Sequence, residues 1–217
     1  MILAIDTATR ATSVALHDGQ QVAAEMTWLT ENYHTVELAP TVAGLLDRVG
    51  VRPADLAAIA LAKGPGSFTG LRIGMSFAKG LALSSSPPLP LIGVPTLDIS
   101  AVAQPRVLGR LCAVAQAGRG RVNAGFYRQG PEGWEAEGDP VIVNWDDLLP
   151  LLEGPTQLCG EIDRAGYERL QTLGDRVMIA SPAASLRRAG FLAELARRRL
   201  ALGAVDEAAT LAPLYLH

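Results

Sequence analysis

Cysteine is scarce in this chain of 217 residues: only Cys112 and Cys159 are present. They stand far apart in apolar, strand-like runs, which argues against a disulfide framework or a redox motif and fits buried, reduced thiols. Histidine is equally sparse. His17, His34 and His217 are the whole set; no HExxH and no i, i+4 pair exists among them, whereas a zinc site needs three or four clustered ligands. A basic excess is also missing. Nineteen Lys and Arg against 22 Asp and Glu leave a net charge of −3, which argues against a protein that grips a polyanion by itself. No apolar run approaches the ~18 residues of a membrane span, and no charged segment precedes MILAID, so neither a membrane helix nor a signal peptide is expected and the cytoplasm is the expected compartment. Two catalytic signatures are absent as well. Ser67 sits in GPGSFTG and not in a G-x-S-x-G elbow, and no GK[ST] follows these glycines to make a Walker loop.

What is abundant is apolar residues, at 49% enough for a substantial core in one domain or two small ones. The sequence is organised around GPGSFTGLRIGMSFAKGLAL, Gly64 to Leu83. Gly64, Gly66 and Gly70 allow positive φ and close approach of another group, and Ser67 or Thr69 can cap a helix that starts there. The free N–H groups at such a helix start suit an anion. Beyond Leu71 the polar residues Arg72, Ser76 and Lys79 form one narrow stripe on an otherwise apolar helix. Gly70 and Gly74, one turn apart, let a second helix come close, so this is either a central core helix or one that meets a partner protein.

The rest reads as a mixed α/β chain. Strands are expected at Ile2 to Asp6, Ala11 to Asp18 and Gln21 to Trp28, a helix at His34 to Val49 that Pro40 should kink or start, and a strand at Ala57 to Ala62. A strand at Leu91 to Val94 and a helix from Pro95 to Ala103 follow the organising helix. The order β-β-β-α-β-α-β-α describes a mixed sheet with helices on both faces. A weaker αβ pattern covers the second half, ending in a helix from about Ser185 to Leu202. The expected lobes are 1–104 and 105–217, joined near Gln104 to Gly109, with no strict residue-level repeat.

Asp6 ends a buried strand and leads into Thr7, Thr9 and Thr12 around a tight turn. Such a turn can hold a phosphate or a hydrated magnesium, and equally the Asp can simply bond turn N–H groups. Arg187, Arg188, Arg197, Arg198 and Arg199 gather on the late helix, where a solvated face is the ordinary reading and an RNA-contact strip the sharper one.

MILAIDTATRATSVAL, His34-Thr35, AIALAKGPGSFTGLRIGMSFAKGLAL, LIGVPTL and the closing PLYLH together resemble the TsaB (YeaZ) family, closely over the first half and more loosely after it. The resemblance implies the actin/hexokinase/Hsp70-like ATPase fold (ribonuclease H-like) in two αβ lobes, the second reduced. It also implies a non-catalytic scaffold subunit that pairs with TsaD to form N6-threonylcarbamoyladenosine in tRNAs reading ANN codons. TsaE is a further implied partner, with a homodimer when the chain is alone and tRNA contact only within the complex. TsaD carries an HxxxH metal pair in the segment similar to LIGVPTLDIS; here those positions fall on Thr96 and Ser100, so no metal, cofactor or catalytic residue is expected. Asp6, Thr7, Thr9, Gly66 and Ser67 would remain as a degenerate nucleotide or anion site. Gln116, Ala117 and Gly118 stand where the family usually reads DAR. The implied interface is a four-helix packing through His34, Leu38, Leu45, Gly70, Gly74, Met75, Phe77, Ala78 and Leu81. Two rival readings are an ATP-dependent phosphotransferase using Asp6 and the glycine turn, and an M22-type metallopeptidase relative.

Overall fold

The computed structural model describes residues 1–31, 34–106 and 109–216. Residues 107 and 108 of the expected joint, and His217 of the closing PLYLH, lie outside the described residues. The chain divides into two units, one made of Met1–Ile99 with Arg188–Leu214, the other chiefly of Ser100–Arg187.

In the first unit β1 (Ile2–Asp6), β2 (Ala11–His17) and β3 (Val22–Leu29) form an antiparallel meander, and β4 (Ala58–Ala62) and β5 (Leu91–Val94) add in parallel on the other side of β1. The strand order is β3-β2-β1-β4-β5. Residue size differs sharply between the two faces. Leu3, Ile5, Val14, Leu16, Ile59 and Leu61 share one face by register and pack under α1 (His34–Val49) and α2 (Phe68–Leu83). The alternate residues Ala4, Ala15, Ala58 and Ala60 present a shallow opposite face, fully buried under α6 (Ala189–Ala201). The α1 helix runs through Pro40 without a break.

The late helix was expected in the second lobe from its place in the chain; it packs instead on the first sheet. Its first turn explains why. Arg188, at the N-cap position, offers no capping side chain. Ser13 Oγ on β2 accepts from Ala189 N–H at 2.8 Å, and Glu25 Oε1 on β3 accepts from Gly190 N–H at 2.6 Å. Further along, His17 Nε2 meets Glu194 Oε1 at 2.9 Å, while Gly19 N–H donates to His17 Nδ1, leaving Nε2 as the protonated nitrogen.

The arginines near this helix are largely fixed contacts and not the solvated face or RNA strip considered from sequence. Arg188 pairs with Glu25, and Arg199 donates to Gly93 O and Asp206 at the β5 edge. Arg197 meets Glu194, and Arg187 is buried against Glu161 in the second unit. Arg198 remains exposed.

The second unit repeats the topology of the first without repeating its residues. The strands β6 (Arg110–Gly118) and β7 (Arg121–Gln129) form a hairpin, and β7 pairs onward with β8 (Trp134–Ala136) and β9 (Val141–Asn144), a third strand in two pieces. On the other side β10 (Thr156–Gly160) and β11 (Val177–Ile179) add in parallel, as β4 and β5 do in the first unit. Its core of Cys112, Val114, Val122, Leu148, Leu158 and Leu170 sits beneath α4 (Trp145–Leu148) and α5 (Arg164–Gln171), with Asn144 and Asp163 as N-caps. Helix α3 (Thr96–Val102) follows β5. Cys112 lies opposite Leu158 in the β6–β10 ladder, so Cys159 projects from the other face and the two thiols are not placed to bridge. Burial pushes the Cys159 thiol up to about 12 and the Cys112 thiol further, leaving both unreactive.

Replacing Ser13 by Ala removes the acceptor from a buried helix-terminal N–H, and we expect a loss of about 1–2 kcal/mol in urea unfolding. Thr41→Val, which removes a helix-internal hydroxyl bond to Glu37 O, should change stability by clearly less.

Candidate functional site

The carboxyl end of β1 and the amino end of α2 meet at backbone distance. A methyl group added at Gly70 would lie 2.2 Å from Thr7 O, one at Gly74 2.3 Å from Thr7 Oγ1, and one at Gly66 2.3 Å from Ala8 O. The group that approaches these glycines is thus the β1–β2 turn of the same chain, and not the second helix expected from their spacing. Hydrogen bonds close the contact. Thr7 Oγ1 donates to Gly70 O at 2.7 Å, and Ser67 N–H donates to Ala8 O at 2.6 Å. Ala8 N–H donates to Asp6 Oδ1 at 2.9 Å, Ala11 N–H to Thr9 Oγ1 at 3.3 Å, and the Ser67 hydroxyl caps α2 at Gly70 N–H. Asp6, Thr7 and Thr9 are buried, Gly66 is half-buried and Ser67 exposed. The five residues named for an anion site therefore lie near one another, but the Thr7 hydroxyl is taken by Gly70 O on α2 and the Ala8 N–H by Asp6 within the turn.

Below this turn Gly64 takes φ +110°, and an added methyl group would lie 2.3 Å from Leu214 O. Thr96 fastens the same residue: its N–H donates to Gly64 O at 2.8 Å and its hydroxyl accepts from Gly64 N–H at 3.1 Å. Ser100 is buried in the second unit, with no hydrogen-bond partner for its hydroxyl among the described residues. Two hydroxyls, one of them already engaged, do not fit a zinc or iron centre. Among the described residues no group of three or more His, Cys, Asp or Glu is placed to hold a metal ion.

His34 opens α1 in a buried position, with Nδ1 3.0 Å from Thr12 Oγ1 on β2. Desolvation holds its pKa below the usual imidazole value, against the opposing pull of Glu37 and Asp6. Trp28 Nε1 donates to Glu37 at 2.9 Å, so β3 also ties the first turn of α1.

Most of the residues named for an interface face inward. His34, Leu38, Leu45, Gly70, Gly74, Met75 and Ala78 are buried within the chain, and Phe77 and Leu81 are half-buried. The large apolar face of the sheet and the β1–β2 turn absorb two sides of α2, so the apolar excess read from its sequence is mostly accounted for internally. What α1 and α2 leave outside is a different set: the small or apolar Val36, Ala39, Pro40, Ala43, Gly44, Phe68, Ser76, Gly80 and Leu83, together with the polar Thr35, Asp47, Arg48, Thr69 and Arg72. Arg72 lies over the Phe68 ring at 3.7 Å. Val36, Phe68 and Leu83 are 64%, 54% and 62% exposed, beyond what a sealed core face would leave. No sequence pattern separates these from the buried set, because Leu83 and Leu81 differ only in which side of the helix meets the sheet.

Two αβ units, each a mixed sheet of the same topology, define the class: the actin/hexokinase/Hsp70-like ATPase fold. At the level of fold the chain is similar to component A of (R)-2-hydroxyglutaryl-CoA dehydratase from Acidaminococcus fermentans, with a TM-score of 0.54 at 11% identity over 92% of this chain and 98% of that one. It is far more similar to YeaZ from Pseudomonas aeruginosa, with a TM-score of 0.78 at 28% identity over 99% of both chains. Residues 28–210 match the family described as TsaD: tRNA N6-adenosine threonylcarbamoyltransferase. Two curated relatives are tRNA threonylcarbamoyladenosine biosynthesis proteins TsaB. That of Escherichia coli is 42% identical over 74% of this chain and 68% of its own length, and that of Bacillus subtilis 32% identical over 91% and 87%. The chain belongs to the TsaB (YeaZ) family.

The close contact at Gly70 makes Gly70→Ala destabilising by about 2–3 kcal/mol, because backbone must move. Gly80→Ala on the open side of the same helix, with nothing within 4 Å, should stabilise by about 0.5–1 kcal/mol in the same urea titration. For His34 the folded pKa lies below the unfolded one, so its contribution is present above about pH 6.5 and is lost as the pH falls below that value. The drop in urea midpoint between about pH 7.5 and pH 5.5 should therefore be smaller in His34→Gln than in the parent.

Proposed function

We propose that this chain is the non-catalytic subunit of a tRNA-modifying assembly, pairing with TsaD in the formation of N6-threonylcarbamoyladenosine. The observation that carries the reading is the exposed strip of small and apolar residues across α1 and α2, two helices packed side by side on one sheet face. Ala39, Ala43 and Gly44 on one helix and Gly80 on the other let partner helices approach closely, and Val36, Phe68 and Leu83 are the anchors at its margins. Phe77 and Leu81, half-buried, extend the strip inward. An interface of ordinary size buries about 1,600 Å² in total, a scale suited to the faces of two helices.

Family membership supports the pathway, since the curated TsaB relatives are named for biosynthesis of this nucleoside. The self-bonded Thr7–Ala8 turn and the hydroxyl pair at Thr96 and Ser100 support the absence of chemistry in this subunit. In the assembly TsaD performs the transfer, TsaE acts with the pair, and tRNA is bound by the complex in the cytoplasm. When TsaD is absent the same strip serves self-association.

Gly74 is a poor place to test this, because its substitution would disturb Thr7 first. Ala43→Glu and Leu83→Glu alter exposed positions and should leave the melting temperature within a few degrees of the parent. Each should abolish copurification with TsaD and sharply lower threonylcarbamoyladenosine in cellular tRNA. Full modification at normal protein levels in both variants would refute the pairing, and tight one-to-one binding of magnesium-ATP by the isolated chain would favour the phosphotransferase reading.

A further inference from the structure

We propose that the β6–β7 hairpin tip is an RNA-phosphate contact made by Arg119 and Arg121, a reading that rests on the chain acting in a tRNA-modifying assembly. Gly118 pairs with Arg121, so the turn has two central residues, Arg119 at φ +55° and Gly120 at φ +71°. Positive φ at both marks a type I′ geometry, for which Asn, Asp or Gly is the ordinary first central residue. Arg119 is the one non-glycine with positive φ among the described residues. Turn chemistry gives no reason for an arginine there, and backbone strain that local structure does not need points to use of the side chain.

Both guanidinium groups are exposed, and among the described residues neither makes a hydrogen bond, an ion pair or a ring contact. That sets them apart from the arginines elsewhere in the second unit that hold carboxylates, such as Arg110 on Glu137 and Arg169 on Asp146. The carboxylates closest to Arg121 through the β7–β9 register are already engaged. Arg121 opposes Asn144, whose amide holds Asp147, while Asp146 is held by Arg169. The base of the hairpin is braced. Glu161 Oε2 accepts from Gln116 N–H and Glu161 O from the Gln116 side-chain amide, both at 3.0 Å, so the two arginines project from a fixed support. The Gln116-Ala117-Gly118 segment thereby has a role as the foot of this hairpin. The corresponding hairpin turn of the first unit, around Thr7 and Ala8, is packed against Gly66, Gly70 and Gly74; this one is open.

A phosphodiester backbone fits such a tip, offering charge without demanding base-edge geometry. The test is titration of an unmodified tRNA transcript into the full chain together with TsaD, across a range of salt concentrations, for the parent and for Arg119→Asn combined with Arg121→Gln. Asparagine suits the first turn position, so the melting temperature of the variant should hold or rise. Copurification with TsaD should be unchanged, tRNA affinity at physiological salt should fall several-fold, and the slope of log affinity against log salt should shrink by about two. Complex formation with unaltered affinity and slope overturns the contact and leaves the pairing reading intact. Loss of TsaD from the variant overturns it in favour of a protein contact, and failure of the parent to form a complex brings it down together with the reading beneath it.

Discussion

The structure turns on how closely α2 lies against the first hairpin turn. With hydrogen in place of a side chain at positions 66, 70 and 74, the helix and the loop that leads into it come to within bonding distance of Thr7 and Ala8, and the turn donates and accepts across the gap. Two consequences follow from this one contact. The turn at the end of β1, the place where a mixed sheet of this kind offers backbone N–H groups to an anion, becomes a self-satisfied structural joint. And the helix, anchored by its amino-terminal half, is rotated so that Met75 and Ala78 go down to the sheet while Ser76, Gly80 and Leu83 face out. One contact thus fixes both the bonding of the turn and the rotation of the helix.

The unequal faces of the first sheet extend the same logic. Large side chains lie under α1 and α2, whereas alanines lie under α6, whose first turn is capped directly by Ser13 and Glu25 of the sheet. A helix without its own capping residue depends on the surface it docks to. That dependence is why Ala189–Ala201 joins the unit built from the beginning of the chain.

The succession of strands and helices along the first unit, and a hydroxyl cap at Ser67 or Thr69, were legible in the sequence because each rests on local signals: alternation, turn glycines, a hydroxyl before an apolar helix. What the glycines were for was not legible, since a small residue records that something comes near without recording what. Thr7, sixty-three positions away from Gly70 in sequence, could be matched to it only once β1 and α2 were placed. The residues expected at an interface suffered from the same limit in another form. Period 3.6 identifies a face of a helix, but α2 is apolar on more than one, and only the sheet decides which is used. The roles of the late arginines were hidden for a different reason: their acceptors, Glu25, Gly93 and Glu161, lie far off in sequence. The exposed tip at Arg119 carried a readable signal in the Gly-Arg-Gly run, which asks for a left-handed turn.

The net negative charge of the chain is a poor guide to where positive charge is available. Arg188 and Arg199 hold α6 and the β5 edge, Arg187 is sunk against Glu161, and Arg110 and Arg169 hold carboxylates of the second unit, so each adds little to the field outside. A guanidinium already paired with a carboxylate is nearly neutral as seen from a phosphate several ångströms away, whereas an unpaired one at a projecting turn acts with its full charge. An acidic protein can therefore still present a local cationic point, because the field near a projecting turn is set by the charges closest to it and not by the sum over the chain.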